Sequence, residues 1–168
     1  TTYVVHNWPF TMPFDPWTGF PTGTFVGQFG TLYDQLIATA ALVVGLGSPT
    51  TQQVGLPHLF APAAFGALAL VPPYLFARQI VAREGALVSV LFLTLTTGQF
   101  LTRGLVGSSD HHIAEVFFIA LAAAAVAKSL RVSMAEKPVW ELVTAREFEP
   151  LRPVVLWGGL AGVAMALY

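Results

Sequence analysis

Cysteine is absent from the 168 residues. Its absence removes disulfide frameworks, thiolate zinc sites and cysteine nucleophiles, and leaves oxygen and imidazole as the strong ligands on offer. Charge is scarce as well. Asp, Glu, Lys and Arg together make up 10% of the chain, against roughly 25% in ordinary soluble domains. With eight basic and nine acidic residues the formal net charge is -1, so the chain carries no basic footprint for nucleic acid. Internal repeats and low-complexity tracts are lacking too. The chain opens at Thr1 without a charged leader and closes inside the apolar run 154–167, which makes it expected to be a piece of a longer protein.

What fills the space left by charge is apolar. Hydrophobic residues reach 55% and the mean hydropathy is +0.67. Runs at 85–102 and 113–130 are each about long enough to cross a hydrocarbon core of about 30 Å at about 1.5 Å per helical residue. A third, 56–78, carries Pro57, Pro62, Pro72 and Pro73 and reads as a kinked span, since membrane helices tolerate proline where neighbours re-satisfy the freed carbonyls. A fourth begins at Pro153. The fold class expected is all-α, a partial polytopic bundle of transmembrane helices over 48–168. Residues 1–30, rich in Pro, Gly and aromatics such as Trp8, Phe14 and Trp17, read as an irregular outer loop on the membrane surface. Residues 31–47 read as an interfacial or partly inserted helix.

The cations set an orientation. Arg78 and Arg83 cluster in one place, and Lys128, Arg131, Lys137, Arg146 and Arg152 in another, with Arg103 alone outside both groups. If these cationic segments face the cytoplasm, then 79–84 and the amphipathic, Trp140-bearing stretch 132–152 are cytoplasmic, and 1–30 and 103–112 are outside.

Between the runs 85–102 and 113–130 lies Ser108-Ser109-Asp110-His111-His112. Asp110 and His112 are two apart, a spacing that lets both converge on one ion where the backbone is extended or turning. A hard oxygen beside a neutral ring nitrogen suits Mn²⁺ and tolerates Mg²⁺. Ser108, Ser109 or Asp110 could equally cap the following helix, and both roles can hold at once. Alternation points His111 elsewhere, to a supporting or lipid-phosphate contact or simply to the interface. Glu115 falls in the first helical turn, where the dipole favours a carboxylate. Arg103 could balance the carboxylates, hold a phosphate, or anchor the helix at the interface. Asp15 and Asp34 read as loop and cap residues.

Two stretches resemble one family. Phe14-Asp15-Pro16-Trp17-Thr18-Gly19-Phe20-Pro21-Thr22-Gly23-Thr24, followed by Gly27-Gln28-Phe29-Gly30-Thr31-Leu32-Tyr33-Asp34, resembles an outer-loop segment of the archaeal oligosaccharyltransferase catalytic subunits. Gly98-Gln99-Phe100-Leu101-Thr102-Arg103, then Gly107 to His112, is similar to that family's second outer loop, where an Asp-x-Asp, Asp-x-Glu or Asp-x-His pair binds a divalent metal.

The resemblance implies a GT-C-type multi-pass membrane glycosyltransferase of the cell membrane with its active site on the extracellular face. It implies transfer of a dolichyl-(pyro)phosphate-linked oligosaccharide to Asn of an acceptor protein's Asn-X-Ser/Thr sequon. Asp110 and His112 would be ligands of Mn²⁺ or Mg²⁺, and Arg103 and His111 supporting or phosphate-binding groups. The family's other metal-binding Asp, a Glu from a later loop and a Trp-Trp-Asp motif have no counterpart here, so no catalytic residue is assigned and this piece alone is expected to be inactive. Two rival functions stand beside this one: another polyprenyl-phosphate-sugar-dependent membrane transferase, and a membrane protein that moves ions or protons through Asp110, His111 and His112.

Overall fold

A computed structural model describes residues 1–26, 32–96, 98–108, 110–135, 141, 142, 144 and 146–167. Expectations that fall on residues 27–31, Ser109, Lys137, Trp140 and Tyr168 lie outside them.

The chain is mostly helical. In order come α1 (Thr2–Asn7), β1 (Phe14–Asp15), β2 (Thr24–Phe25), α2 (Leu32–Val44), α3 (Thr51–Leu68), α4 (Val71–Ala77), α5 (Arg83–Leu95), α6 (Gln99–Arg103), α7 (His112–Ala135), a 3₁₀ turn (Glu149–Leu151) and α8 (Arg152–Ala166). Two stretches, Thr51–Ala77 and His112–Ser133, are long and apolar enough to cross a membrane.

The first of these starts earlier than the hydropathy run 56–78 suggests. Thr50 and Gln53 form a reciprocal cap: the Gln53 amide donates to Thr50 Oγ1 (3.3 Å) and the Thr50 amide to Gln53 Oε1 (2.8 Å). Such a cap is worth about 1 kcal/mol, enough to fix where the helix starts. Ala69 and Leu70 separate α3 from α4, whose second and third residues are Pro72 and Pro73. Proline there costs no internal bond, because the first-turn amides of a helix have no partner anyway.

The run 85–102 is not one helix. It divides into α5 and α6 around Thr96, whose backbone is extended, and Gly98, at φ +140°. Thr94 and Thr96 turn their hydroxyls onto the Leu91 and Phe92 carbonyls (both 2.7 Å), a local competition with the helix ladder that apolarity alone does not reveal. The segment 1–30 departs from the irregular reading in the other direction. It holds α1 and a two-residue antiparallel ladder pairing Phe14 with Phe25 and Asp15 with Thr24. α1 persists despite β-branched Val4 and Val5 because both are buried against Ala38, Ala41, Leu42 and Val54, so packing overrides propensity. α7 also runs past the expected boundary near 130 to Ala135.

Where α7 meets α8 the buried residues are small. Ala122, Ala124 and Ala125 of α7 and Ala161 and Ala164 of α8 are buried, whereas Leu91, Phe92, Leu95, Val155 and Leu156 face outward. Helices meeting through alanine and glycine come close enough for the Ser129 hydroxyl to donate to the Val154 carbonyl across α7 and α8 (3.0 Å). Small residues at such an interface let two helix backbones approach closely.

Candidate metal centre

The segment joining α6 to α7 is held in place largely by backbone. On α3, Gly66 sits so close to Gly104 that a Cβ on Gly66 would lie 3.2 Å from the Gly104 Cα. Three residues on, the Gly107 amide donates to the Leu59 carbonyl of α3 (2.9 Å), with Gly107 at φ +85°, a left-handed conformation suited to glycine. The Asp110 amide then turns back onto the Ser108 carbonyl (2.7 Å). These constraints deliver Asp110 to the mouth of α7.

There the Asp110 carboxylate divides its work. Oδ1 accepts from the His112 amide (3.0 Å), satisfying one of the amides that a helix start leaves unpaired. Oδ2 is paired with Nη1 of Arg103, whose Nε donates to Gln99 Oε1 (2.7 Å) one turn earlier on α6. Partial burial pushes the Asp110 carboxyl up. The His112 amide, the His112 ring, the Arg103 guanidinium and the His111 ring together outweigh it and hold the group below the usual carboxylate range, so it is anionic at neutral pH.

Both imidazoles gather on the same carboxylates. His112 Nδ1 lies 3.7 Å from Asp110 Oδ1 and His111 Nδ1 3.9 Å from it, with the two rings edge to face at 4.4 Å. One helical turn on, Glu115 brings Oε2 to within 3.0 Å of His112 Nδ1 and Oε1 to within 3.4 Å of His111 Nε2. His112 Nδ1 is buried and, among the described residues, has no hydrogen-bond partner. An unspent ring nitrogen, a second imidazole and an ionised carboxylate, with ligand atoms all within 4.8 Å of one another, form a donor set that a divalent cation fits. Nearby, the Tyr33 hydroxyl is buried without a partner among the described residues. Burial, with the charges of Asp34 and Asp110, pushes its pKa up to about 12, so it stays a neutral donor.

The structure thus brings Arg103, Asp110, His111 and His112 together, with His111 on the same side as its neighbour. Sequence reading did not connect Glu115 to the histidines, although its places three and four residues after them are the spacing at which helical side chains meet. Gln99, four residues before Arg103, carried the same signal. Asp15, expected in a loop, instead ends β1 opposite Thr24, and its carboxylate accepts from the Trp17 amide (2.9 Å) and the Thr18 hydroxyl (2.8 Å). Asp34, in the first turn of α2, instead accepts from the Thr1 hydroxyl (2.5 Å).

The arrangement of helices has a counterpart in the crystal structure of the apo Archaeoglobus fulgidus oligosaccharyltransferase. That match has a TM-score of 0.76 at 27% identity, and covers 98% of this chain and 18% of that one. The chain belongs to the oligosaccharyl transferase STT3 family, whose N-terminal region matches residues 1–167. It is 55% identical over 166 residues to the dolichyl-monophosphooligosaccharide–protein glycotransferase AglB of Haloferax volcanii, covering 99% of this chain and 16% of that protein. It is also 33% identical over 114 residues to dolichyl-phosphooligosaccharide-protein glycotransferase 3 of Archaeoglobus fulgidus, covering 68% of this chain and 13% of that protein. The chain therefore spans about a sixth or less of the curated relatives it matches.

Proposed function

We propose that this chain is the N-terminal membrane part of an oligosaccharyltransferase that moves an oligosaccharide from a dolichyl-(pyro)phosphate carrier to Asn in an Asn-X-Ser/Thr sequon. The reading rests above all on one observation: in a member of this family, Asp110, His111 and His112 converge within 4.8 Å at the start of a membrane-length helix. Asp110 and His112 hold Mn²⁺ or Mg²⁺. Arg103 and His111 support them or meet the donor phosphate.

An amide nitrogen is a poor nucleophile, so the acceptor Asn has to be engaged through its N–H groups while negative charge grows on the departing phosphate. The bound cation would supply charge stabilisation at that phosphate. This chain's own residues prepare the place. Asp110 contributes a fixed anion whose orientation is set by the His112 amide and Arg103. Arg103, spending one donor on Gln99 and one on Asp110, keeps guanidinium donors for a phosphate oxygen. Glu115 steadies both imidazoles. Groups that complete the site come from the rest of the protein.

In this reading Thr51–Ala77 and His112–Ser133 cross the membrane, α5 and α8 complete the multi-pass bundle, and the Asp110 loop lies on the extracellular face. The test uses the full-length protein with a lipid-linked oligosaccharide and a sequon peptide. Glycopeptide should form, stop when the metal is chelated, and resume with Mn²⁺. Transfer that is indifferent to chelation, or to replacing the sequon Asn by Gln, sinks the reading. From outside the cell, a thiol reagent should reach Ser108→Cys and not Glu149→Cys; the reverse labelling overturns the topology.

A further inference from the structure

The opposite end of α7 carries a cavity the transfer reaction does not use. It lies between the end of α4, residues 121–131 of α7 and Trp157 of α8, with a volume of about 330 Å³ and an apolar lining that includes Leu75, Leu121 and Ala125. Arg78, Lys128 and Arg131 line it. Among the described residues none of the three is paired with a carboxylate. Arg131 donates to the Gln79 carbonyl (2.5 Å) and Arg78 to the Val81 carbonyl (3.1 Å), which fixes the two side chains and leaves most of their donors unspent. The Gln79 side chain reaches across to the Ala124 carbonyl (3.0 Å), while its Oε1 is buried with no partner among the described residues.

Three cations around an apolar lining repel one another where screening is weak, so the arrangement calls for an anion. The depth of the cavity says which kind. Lys128 and Arg131 follow His112 by sixteen and nineteen residues along one helix, about 24 to 28 Å at the helical rise. With His112 at one surface of a hydrocarbon core about 30 Å thick, their backbones stand just short of the other surface, and their long side chains reach the headgroup layer. Trp157 fits that layer, and the apolar lining suits the first methylenes of a chain. The buried Gln79 Oε1 is an acceptor waiting for a hydroxyl.

We propose that this cavity binds the phosphate headgroup of an anionic membrane lipid, with Arg78, Lys128 and Arg131 on the phosphate and Gln79 on a headgroup hydroxyl. Such pockets between helix ends are a recurrent means of holding anionic lipids. The proposal rests on the membrane placement given above and is independent of the metal site.

Full-length protein in mixed bilayers of phosphatidylglycerol and phosphatidylcholine, released and weighed by native mass spectrometry, should retain phosphatidylglycerol. The Lys128→Gln/Arg131→Gln variant should retain it at least tenfold less, Lys128→Arg should retain it fully, and Arg78→Gln, which removes one cation of the three, should fall between. Millimolar inorganic phosphate should not displace the lipid. Equal retention by wild type and the double variant, no preference over phosphatidylcholine, or displacement by inorganic phosphate each overturns the proposal, the last by pointing to a soluble anion. Release of the protein from membranes by alkaline carbonate overturns it differently, because the membrane placement itself then fails. Thermal unfolding in detergent confirms that the variants remain folded.

Discussion

The two ends of α7 handle charge in opposite ways. At the N-terminal end acidic and basic groups face one another: Arg103 pairs with Asp110, and Glu115 faces both His111 and His112. At the C-terminal end Lys128 and Arg131 have no acidic partner among the described residues, and Arg131 spends itself on a backbone carbonyl. The difference teaches where geometry matters. Mutually engaged groups are held in place at the expense of side-chain freedom, which suits a site that has to present fixed atoms. Cations left on carbonyls keep their charge for a surface.

The largest effect should come from breaking the first end while sparing the second. In the full-length enzyme Asp110→Ala should lower glycan transfer by on the order of 10²-fold or more, whereas Lys128→Gln should leave it within about twofold, both read as initial rates. Asp110→Asn sharpens the point. An amide oxygen can still accept from the His112 N–H, so the helix start survives at a cost of about 1 kcal/mol or less, yet activity should still be lost. Near-normal transfer by Asp110→Asn at limiting metal would reduce Asp110 to a capping residue.

Next in size is His112→Ala. Losing one ligand should weaken Mn²⁺ binding by roughly 10 to 100-fold, visible in metal titrations followed by electron paramagnetic resonance. Extra Mn²⁺ should partly restore transfer, since mass action compensates for affinity. His111→Ala should be milder. An equal loss in both would mean that the two imidazoles are equivalent at the ion.

A smaller effect tests the scaffold of the same end. Gly66→Val puts bulk against the Gly104 backbone, which should cost about 1 to 3 kcal/mol of stability and shift Arg103 enough to lower transfer. Denaturation in detergent and the rate assay should move together. The smallest belongs to the other end. Ser129→Ala removes one hydrogen bond to Val154, worth about 1 kcal/mol, with no change in transfer.

How far the sequence foretold all this follows the same division. Runs of apolar residues located Thr51–Ala77 and His112–Ser133 because a membrane-length helix announces itself by composition. They missed the start at Thr50, whose Thr-x-x-Gln cap is a polar signal lying outside the run. They also joined α5 to α6, since the threonine hydroxyls and Gly98 that part them barely alter hydropathy. α1 was invisible for a different reason: its residues form a helix only because α2 and α3 cover Val4 and Val5. At the candidate site, Asp110 and His112 stood out by chemistry, whereas alternation set His111 apart although its ring gathers with theirs. Glu115 did not, because a carboxylate in a first helical turn already has an ordinary explanation.

The tether between Gly107 and Leu59 joins main chain to main chain. Substituting the side chain at Leu59 leaves the accepting oxygen where it is, so that position is free to drift among residues of similar bulk while the loop keeps its anchor. Position 107 has no such liberty, since its φ of +85° confines the choice to glycine and the few residues that tolerate that turn. Across variants of this chain, then, the two partners of one bond should show unequal tolerance: a permissive helix position and a strict loop position a few residues before Asp110.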